Sequence, residues 1–224
     1  GKIMRFTGTY DQDQLLDESL PITWRHINKL AGCGALGDLG SHLLSISQFI
    51  MGDITKVNAV ATTVFPKRPK SAGSTEMVDV ENEDIMTFMA EYANGAIGQI
   101  ACSRVATGRK NYLTYEIQGT KGSVRYDLER MGEVQVYFQS DNERDRGFRT
   151  VLLNPLMKGY SAFQPAGGIS IAYNDMKILE VHALFDAITN GADYVTDFEF
   201  GYKIDRTVAA VIESSKTHEW VDVK

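Results

Sequence analysis

Ala31-Gly32-Cys33-Gly34-Ala35-Leu36-Gly37-Asp38-Leu39-Gly40-Ser41-His42-Leu43-Leu44 is the stretch that decides between two folds. Its Gly32 to Gly37 portion satisfies G-x-G-x-x-G, and Asp53 follows at about the ~20-residue interval at which a doubly wound fold places its ribose-binding acid. The context fails. That fingerprint needs a buried strand just before it, and Arg25-His26-Ile27-Asn28-Lys29-Leu30 is no such strand. The acid should also end the second strand, whereas Asp53 precedes one. From Leu36 onward the spacing is helical instead, with Leu36, Leu39, Leu43, Ile46 and Ile50 on one stripe. Asp38 and His42, four apart, stack one turn above the other on its flank. Glycines at 34, 37 and 40 leave that side bare, so another backbone or a flat ligand can approach closely.

Two readings of Asp38 and His42 stay open at this level. A carboxylate and an imidazole beside a bare surface form a proton-handling pair. Alternatively, Asp38 charges the helix start and His42 is a satisfied core-edge histidine. A metal site comes third, because a one-turn pair leaves at least one further ligand unaccounted for.

Composition narrows the class. The 224 residues, 43% hydrophobic, bury a sizeable core in one large domain or two small ones. A net charge of −6 disfavours nucleic acid or anionic membrane as the main partner. No apolar run reaches the ~18 residues of a membrane helix, and no signal peptide is visible. Cys33 and Cys102, without C-x-x-C spacing, fit a reducing cytosol, so a cytoplasmic location is expected. The opening Gly1-Lys2-Ile3-Met4-Arg5-Phe6 enters directly on a strand-like run, as though something upstream had been removed.

Outward from the central helix, Met4, Phe6 and Tyr10 alternate with polar neighbours as a half-buried strand. Asp11 to Leu30 is a long irregular connection, broken by Pro21, of the kind that is usually functional or mobile. Within it Trp24-Arg25 pairs a flat ring with a cationic fork, suited to sugar faces or carboxylates; the alternative is a tryptophan plugging the loop onto the core. Gly52 caps the helix, and Ile54 to Phe65 reads as a strand with Val57, Ala59, Ala61 and Phe65 on one face. Pro66 to Asn82 is expected to be a mobile loop. A meander follows: Ile85 to Tyr92 turning at Asn94-Gly95 into Ala96 to Val105, Tyr112 to Gln118 turning at Gly119-Thr120-Lys121-Gly122 into Ser123 to Leu128, then Val134 to Phe138 and Phe148 to Leu153. Several strands are apolar on both faces, as where Met86, Phe88 and Tyr92 oppose Ile85 and Met89, so the face away from the helices should meet a second subunit. Asn174 should cap a helix carrying Ile178, Val181, Phe185 and Ile188. Thr196-Asp197-Phe198-Glu199 is a capping box opening a last helix with a stripe of Phe200, Ile204, Val208, Val211 and Ile212. The class is α+β: a mostly antiparallel open sheet with helices packed on one face, in one domain over residues 1–224.

Gly34-Ala35-Leu36-Gly37-Asp38-Leu39-Gly40-Ser41-His42 resembles the G-A-L-x-D-x-G-x-H signature of the glucose–fructose oxidoreductase/inositol dehydrogenase (Gfo/Idh/MocA) family. The turn Glu116 to Ser123, the run Asp197 to Gly201 and the closing Ser214 to Val223 extend the resemblance over nearly the whole chain. Ser45 departs from it, standing where many members carry Asp. The resemblance implies a C-terminal substrate-binding and oligomerisation domain whose N-terminal Rossmann domain, absent from this chain, binds NAD or NADP. It implies hydride transfer between nicotinamide and a secondary alcohol of a sugar, inositol or related polyol. His42 would exchange the proton and Asp38 would position it, with no cofactor-binding residue and no metal ligand in this chain. Tyr10, Gln12, Trp24, Arg25 and Phe163 match segments that line the sugar pocket. A homodimer or homotetramer through the open sheet face is expected, and the fragment alone should be inactive. The reading from a different class is a non-catalytic sugar-binding or dimerisation module on the same fold.

Overall fold

The computed structural model describes residues 1–157 and 159–224. One nine-stranded sheet runs through the molecule in the order β10-β9-β8-β7-β1-β6-β5-β2-β11. Its strands are β1 (Ile3–Asp11), β2 (Ile54–Thr62), β5 (Ile85–Tyr92), β6 (Ile97–Ser103), β7 (Tyr112–Gly119), β8 (Gly122–Asp127), β9 (Glu133–Phe138), β10 (Arg149–Leu152) and the short β11 (Val221–Asp222). Every pairing is antiparallel except β1 with β6, where Phe6 lies beside Gly98 and Tyr10 beside Cys102. The α+β reading therefore holds. The meander is not continuous, because β1 is inserted between β6 and β7.

The core lies between the sheet and two helices, α2 (Ser41–Met51) and α4 (Phe198–Thr217); the single turn α1 (Asn28–Ala31) precedes them. Alternation puts Phe6 and Tyr10 of β1, Val57 and Ala59 of β2, and Met86, Phe88, Ala90 and Tyr92 of β5 inward, against Leu36, Leu43, Leu44, Ile204 and Val211. Gly52 leaves α2 at φ 90°, and Gly95 makes the β5–β6 hairpin turn at φ 81°. Asp197 caps α4, its Oδ1 accepting from Phe200 N at 2.8 Å. Two side-chain bonds tie the layers: Gln48 Nε2 donates to Thr207 Oγ1, and Ala59 N of β2 donates to Ser214 Oγ of α4.

Several expectations need correction. Met4 is exposed, because a register shift between Ile3 and Arg5 turns Ile3 inward in its place. β2 stops at Thr62 and Phe65 lies beyond it: Val64 N and Phe65 N both donate to Asp84 Oδ2, which bends the chain away. Pro66 to Asn82 is no plain loop. It folds as a hairpin of β3 (Lys67–Pro69) and β4 (Met77–Asp79), anchored by a fully buried Arg68. The outward sheet face is apolar only at one corner, around Val60, Met89 and Ile97; Thr7, Thr9, Thr114 and Glu116 continue it as a polar surface. Asn174 sits inside the first turn of α3 (Tyr173–Asn190), whose leading amide, Ala172 N, donates to Asp175 Oδ2 instead. The α3 stripe is present but largely uncovered, with Ile178, Val181, Phe185 and Ile188 exposed at 55, 49, 60 and 69%.

Candidate active site

The site begins at the carboxylate of Glu83. It accepts from Gly34 N at 2.8 Å and Leu36 N at 2.9 Å, while its backbone carbonyl accepts from Ala35 N at 3.1 Å. A negative group at a helix start is where the helix field favours it. A Cβ on Gly34 would lie 1.9 Å from Glu83 O, so this glycine is needed for the approach of backbone, not of a flat ligand. Gly40 faces Leu36 and the Cys102 sulfur, and Gly37 faces the Cys33 sulfur, so the expected bare flank is filled from within the chain. The amides that a dinucleotide pyrophosphate would need are thus spent on an anion. Gly32 to Gly37 is not a nucleotide cradle, and Asp53 pairs with Lys203 at 3.4 Å.

Gripped in this way, Leu36–Gly40 winds as a π-helix before the α-helical Ser41–Met51. The wider turn, a form common at functional sites, sets Asp38 and His42 out of ideal α-helical stacking. No hydrogen bond joins the two among the described residues. Asp38 Oδ2 instead accepts from Arg25 Nε at 3.4 Å. His42 stands edge-on to the Tyr10 ring, with centroids 5.7 Å apart. Its pKa lies below the usual histidine value: surrounding protein disfavours the charged ring, Asp38 opposes that and Lys177 adds to it. A net rise driven by the neighbouring carboxylate does not occur, since desolvation outweighs one partly hydrated carboxylate. A neutral imidazole is the form able to accept a proton.

Around the pair the structure gathers most of the residues expected at the site. Tyr10 is buried, and its hydroxyl donates to Asn111 Oδ1 at 2.7 Å. Gln12 Nε2 donates to the same oxygen at 2.8 Å, so Asn111 fixes both side chains. Trp24 does not plug the core. It is 53% exposed and carries the Arg25 guanidinium 4.5 Å from its ring centre, forming an open aromatic and cationic shelf beside Asp38. Phe163 is half-buried at the end of the Tyr160–Ala162 turn, and among the described residues no hydrogen bond or ring contact joins it to Asp38 or His42. Sequence reasoning missed Asn111, Glu83, Tyr173 and Lys177. The last two stand in the first turns of α3, Tyr173 near Tyr10 and Lys177 near enough to His42 for its positive charge to lower the histidine's pKa. Only Asn111 offered a signal, as a polar residue just before a strand; the α3 pair depends on how that helix is set down. Among the described residues no group of three His, Cys, Asp or Glu is placed to hold a metal. Burial pushes the Cys33 thiol up to about 11 and the Cys102 thiol higher still, so both stay as thiols at neutral pH.

Comparison with known proteins places the chain in a family. A sequence model of the GFO/IDH/MocA C-terminal domain matches residues 1–125. A levoglucosan dehydrogenase from Pseudarthrobacter phenanthrenivorans is 39% identical over 100% of this chain and 60% of its own length. A levoglucosan dehydrogenase solved with NADH and levoglucosan superposes with a TM-score of 0.94 at 38% identity, over 100% of this chain and 59% of the other. An NAD-binding oxidoreductase from Klebsiella pneumoniae gives 0.95 at 39%, over 100% and 60%. The chain spans about 60% of the length of these relatives. Signature, fold and full-length similarity converge, and the chain belongs to the Gfo/Idh/MocA family.

Proposed function

We propose that this chain is the substrate-binding and proton-handling domain of an NAD(P)-dependent dehydrogenase that oxidises a secondary alcohol of a sugar, inositol or related polyol. The observation that carries the reading is the convergence of Asp38, His42, Tyr10 and the Trp24–Arg25 shelf on one surface, in a chain similar throughout to a levoglucosan dehydrogenase. In the levoglucosan dehydrogenase the match leaves about 40% of that protein's own length outside it, and α3 leaves an apolar face uncovered; both support a nucleotide-binding domain outside residues 1–224. The nicotinamide, when bound there, supplies the hydride acceptor.

What the present residues contribute is the other half of the chemistry. The exposed face of Trp24 receives an apolar sugar face, and Arg25 offers donors to ring hydroxyls. Neutral His42 accepts the hydroxyl proton, and Asp38 stabilises the imidazolium that forms while keeping Arg25 in place. Tyr10, locked by Asn111, walls the histidine ring on one side. The wider substrate class follows from the site being a shelf with few fixed donors; levoglucosan-like anhydrosugars are the first compounds to assay. We infer in addition that copies of the chain associate through the apolar corner of the sheet, where Met89, Ile97 and Trp220 line a hollow of about 400 Å³. Two unpaired cysteines accord with a reducing, cytoplasmic setting.

The test is steady-state oxidation of a sugar and polyol panel by the full-length protein with NAD or NADP. Turnover that needs His42 supports the reading. Sugar binding without turnover in any cofactor would leave the non-catalytic module, and sedimentation as a strict monomer would remove the association through the sheet.

A further inference from the structure

Beneath the Trp24–Arg25 shelf lie four ionisable side chains that the reaction does not use. His26, Arg68, Asp84 and Arg104 are each 0% exposed, and they come from the shelf itself, from β3, from the residue before β5 and from the residue after β6. Arg68 donates to the carbonyls of Leu15, Asp17 and Leu20, sewing the long loop down from below. Arg104 Nη2 donates to Glu83 O at 3.0 Å and lies 3.9 Å from Asp84 Oδ1. The shelf backbone is held from the side: Asn82 Nδ2 donates to Arg25 O, and Glu81 N to His26 O, both at 2.9 Å. His26 closes the turn from within, its Nδ1 accepting from Thr23 N at 3.0 Å with Thr23 Oγ1 3.1 Å away. That acceptance requires Nδ1 to be unprotonated.

Four buried atoms of this cluster have no hydrogen-bond partner among the described residues: His26 Nε2, Arg68 Nε, Arg104 Nε and Asp84 Oδ1. Two fixed positive charges and one negative charge thus face a neutral imidazole. A proton added to His26 would be a third positive charge in a buried site, and it would remove the acceptor that Thr23 N uses.

We propose that His26 is a positioning residue that presents Arg25 to Asp38 and the substrate, and that its protonation unlatches the shelf. The inference rests on the reading that Arg25 meets substrate. Burial first, and then Arg68 and Arg104, hold the His26 pKa below the ordinary 6.5, with Thr23 and Asp84 opposing. The sign follows. The unfolded chain takes up this proton more readily than the folded one, so the contribution of His26 to stability is full above about 6.5 and is lost as pH falls through the folded pKa.

The experiment is a pH series of KM and kcat for the sugar, in the full-length protein, with His26→Ala, His26→Asn, Arg25→Ala and the Arg25→Ala/His26→Ala double variant. His26→Ala should raise KM about tenfold at neutral pH, as expected for one lost charge-assisted hydrogen bond to substrate, with kcat much less affected. His26→Asn puts a non-titrating acceptor near the Nδ1 position, so it should rescue KM and abolish the acid rise in KM that wild type shows. The double variant should match Arg25→Ala, because His26 acts through Arg25. Additive KM losses, or an acid rise in KM that persists in His26→Asn, would overturn the proposal while turnover still needs His42. Loss of the His42 requirement instead refutes the dehydrogenase reading on which it rests.

Discussion

α3 and α4 are nearly matched in length, at 18 and 20 residues, and both carry apolar stripes. In α4 that stripe is spent: Ile204, Thr207, Ala210, Val211 and Ser214 are buried against β2 and α2. In α3 no residue is buried. One helix holds the domain together; the other stands at the edge of the site, lending Tyr173 and Lys177 to its surroundings. Periodicity reports that a helix has an apolar face. It does not report whether the partner for that face lies in the same fold. The same division separates neighbours on α2, where His42 is exposed to the site and Leu43 is fully buried in the core.

The division is tested most sharply at those two adjacent positions. His42→Ala in the full-length protein should cut kcat by about 10²–10⁴-fold, the usual effect of losing a general base, with its thermal midpoint unchanged. Leu43→Ala should instead cost about 2–5 kcal/mol of unfolding free energy through a core cavity, measured by denaturant titration, with kcat of the folded fraction intact. If His42→Ala loses activity only by unfolding, the site and the core are not separable and the proton role falls.

A smaller effect tests the electrostatics. On the proposed mechanism oxidation needs neutral His42, so the rate should fall as pH drops through a pKa below 6.5. Asp38 raises that pKa and Lys177 lowers it. Asp38→Asn should therefore move the acid limb of kcat to lower pH, and Lys177→Gln should move it to higher pH, each by less than about one unit. Shifts in the same direction would mean that α3 does not approach His42 in the working enzyme. Least of all, Phe185→Ala on α3 should change the stability of the isolated domain by no more than about 0.5 kcal/mol, against about 2–5 kcal/mol for Ile204→Ala on α4. A large loss at Phe185 would show that α3 already has a partner.

Much of this is legible in the sequence. Alternation and turn chemistry specified β5–β6 and β7–β8, because Asn94-Gly95 and Gly119 to Gly122 are local signals. The start of the last helix was local too, but the Thr196 to Glu199 box points to Thr196 as the cap, whereas Asp197 takes that place and accepts from Phe200 N. The insertion of β1 beside β6 was not legible, since nothing near Phe6 encodes a partner at Gly98. Asp38 and His42 could be singled out by spacing and by resemblance, but their environment could not. The lowered His42 pKa depends on how protein closes around the ring, and the Arg25–Asp38 contact depends on a loop whose anchor, Arg68, arrives from a hairpin that reads as loop. Buried charge is the case where pattern rules fail most directly. Arg68 and Arg104 look like surface residues in sequence and are fully enclosed.

The position of β1 has a consequence for how the chain acquires its shape. Its neighbours on both sides come from far along the sequence, Arg5 lying between Ile97 of β6 and Gln118 of β7. Closing so long a loop costs entropy before any ladder bond rewards it, so the central strand cannot join early. During synthesis Phe6 and Tyr10 must wait, unpaired and apolar, until the hairpins that flank them have emerged. The rate-limiting event in folding should then be the docking of β1 between two preformed hairpins. Chaperone dependence should track substitutions in this strand more closely than substitutions in the peripheral β9–β10 pair.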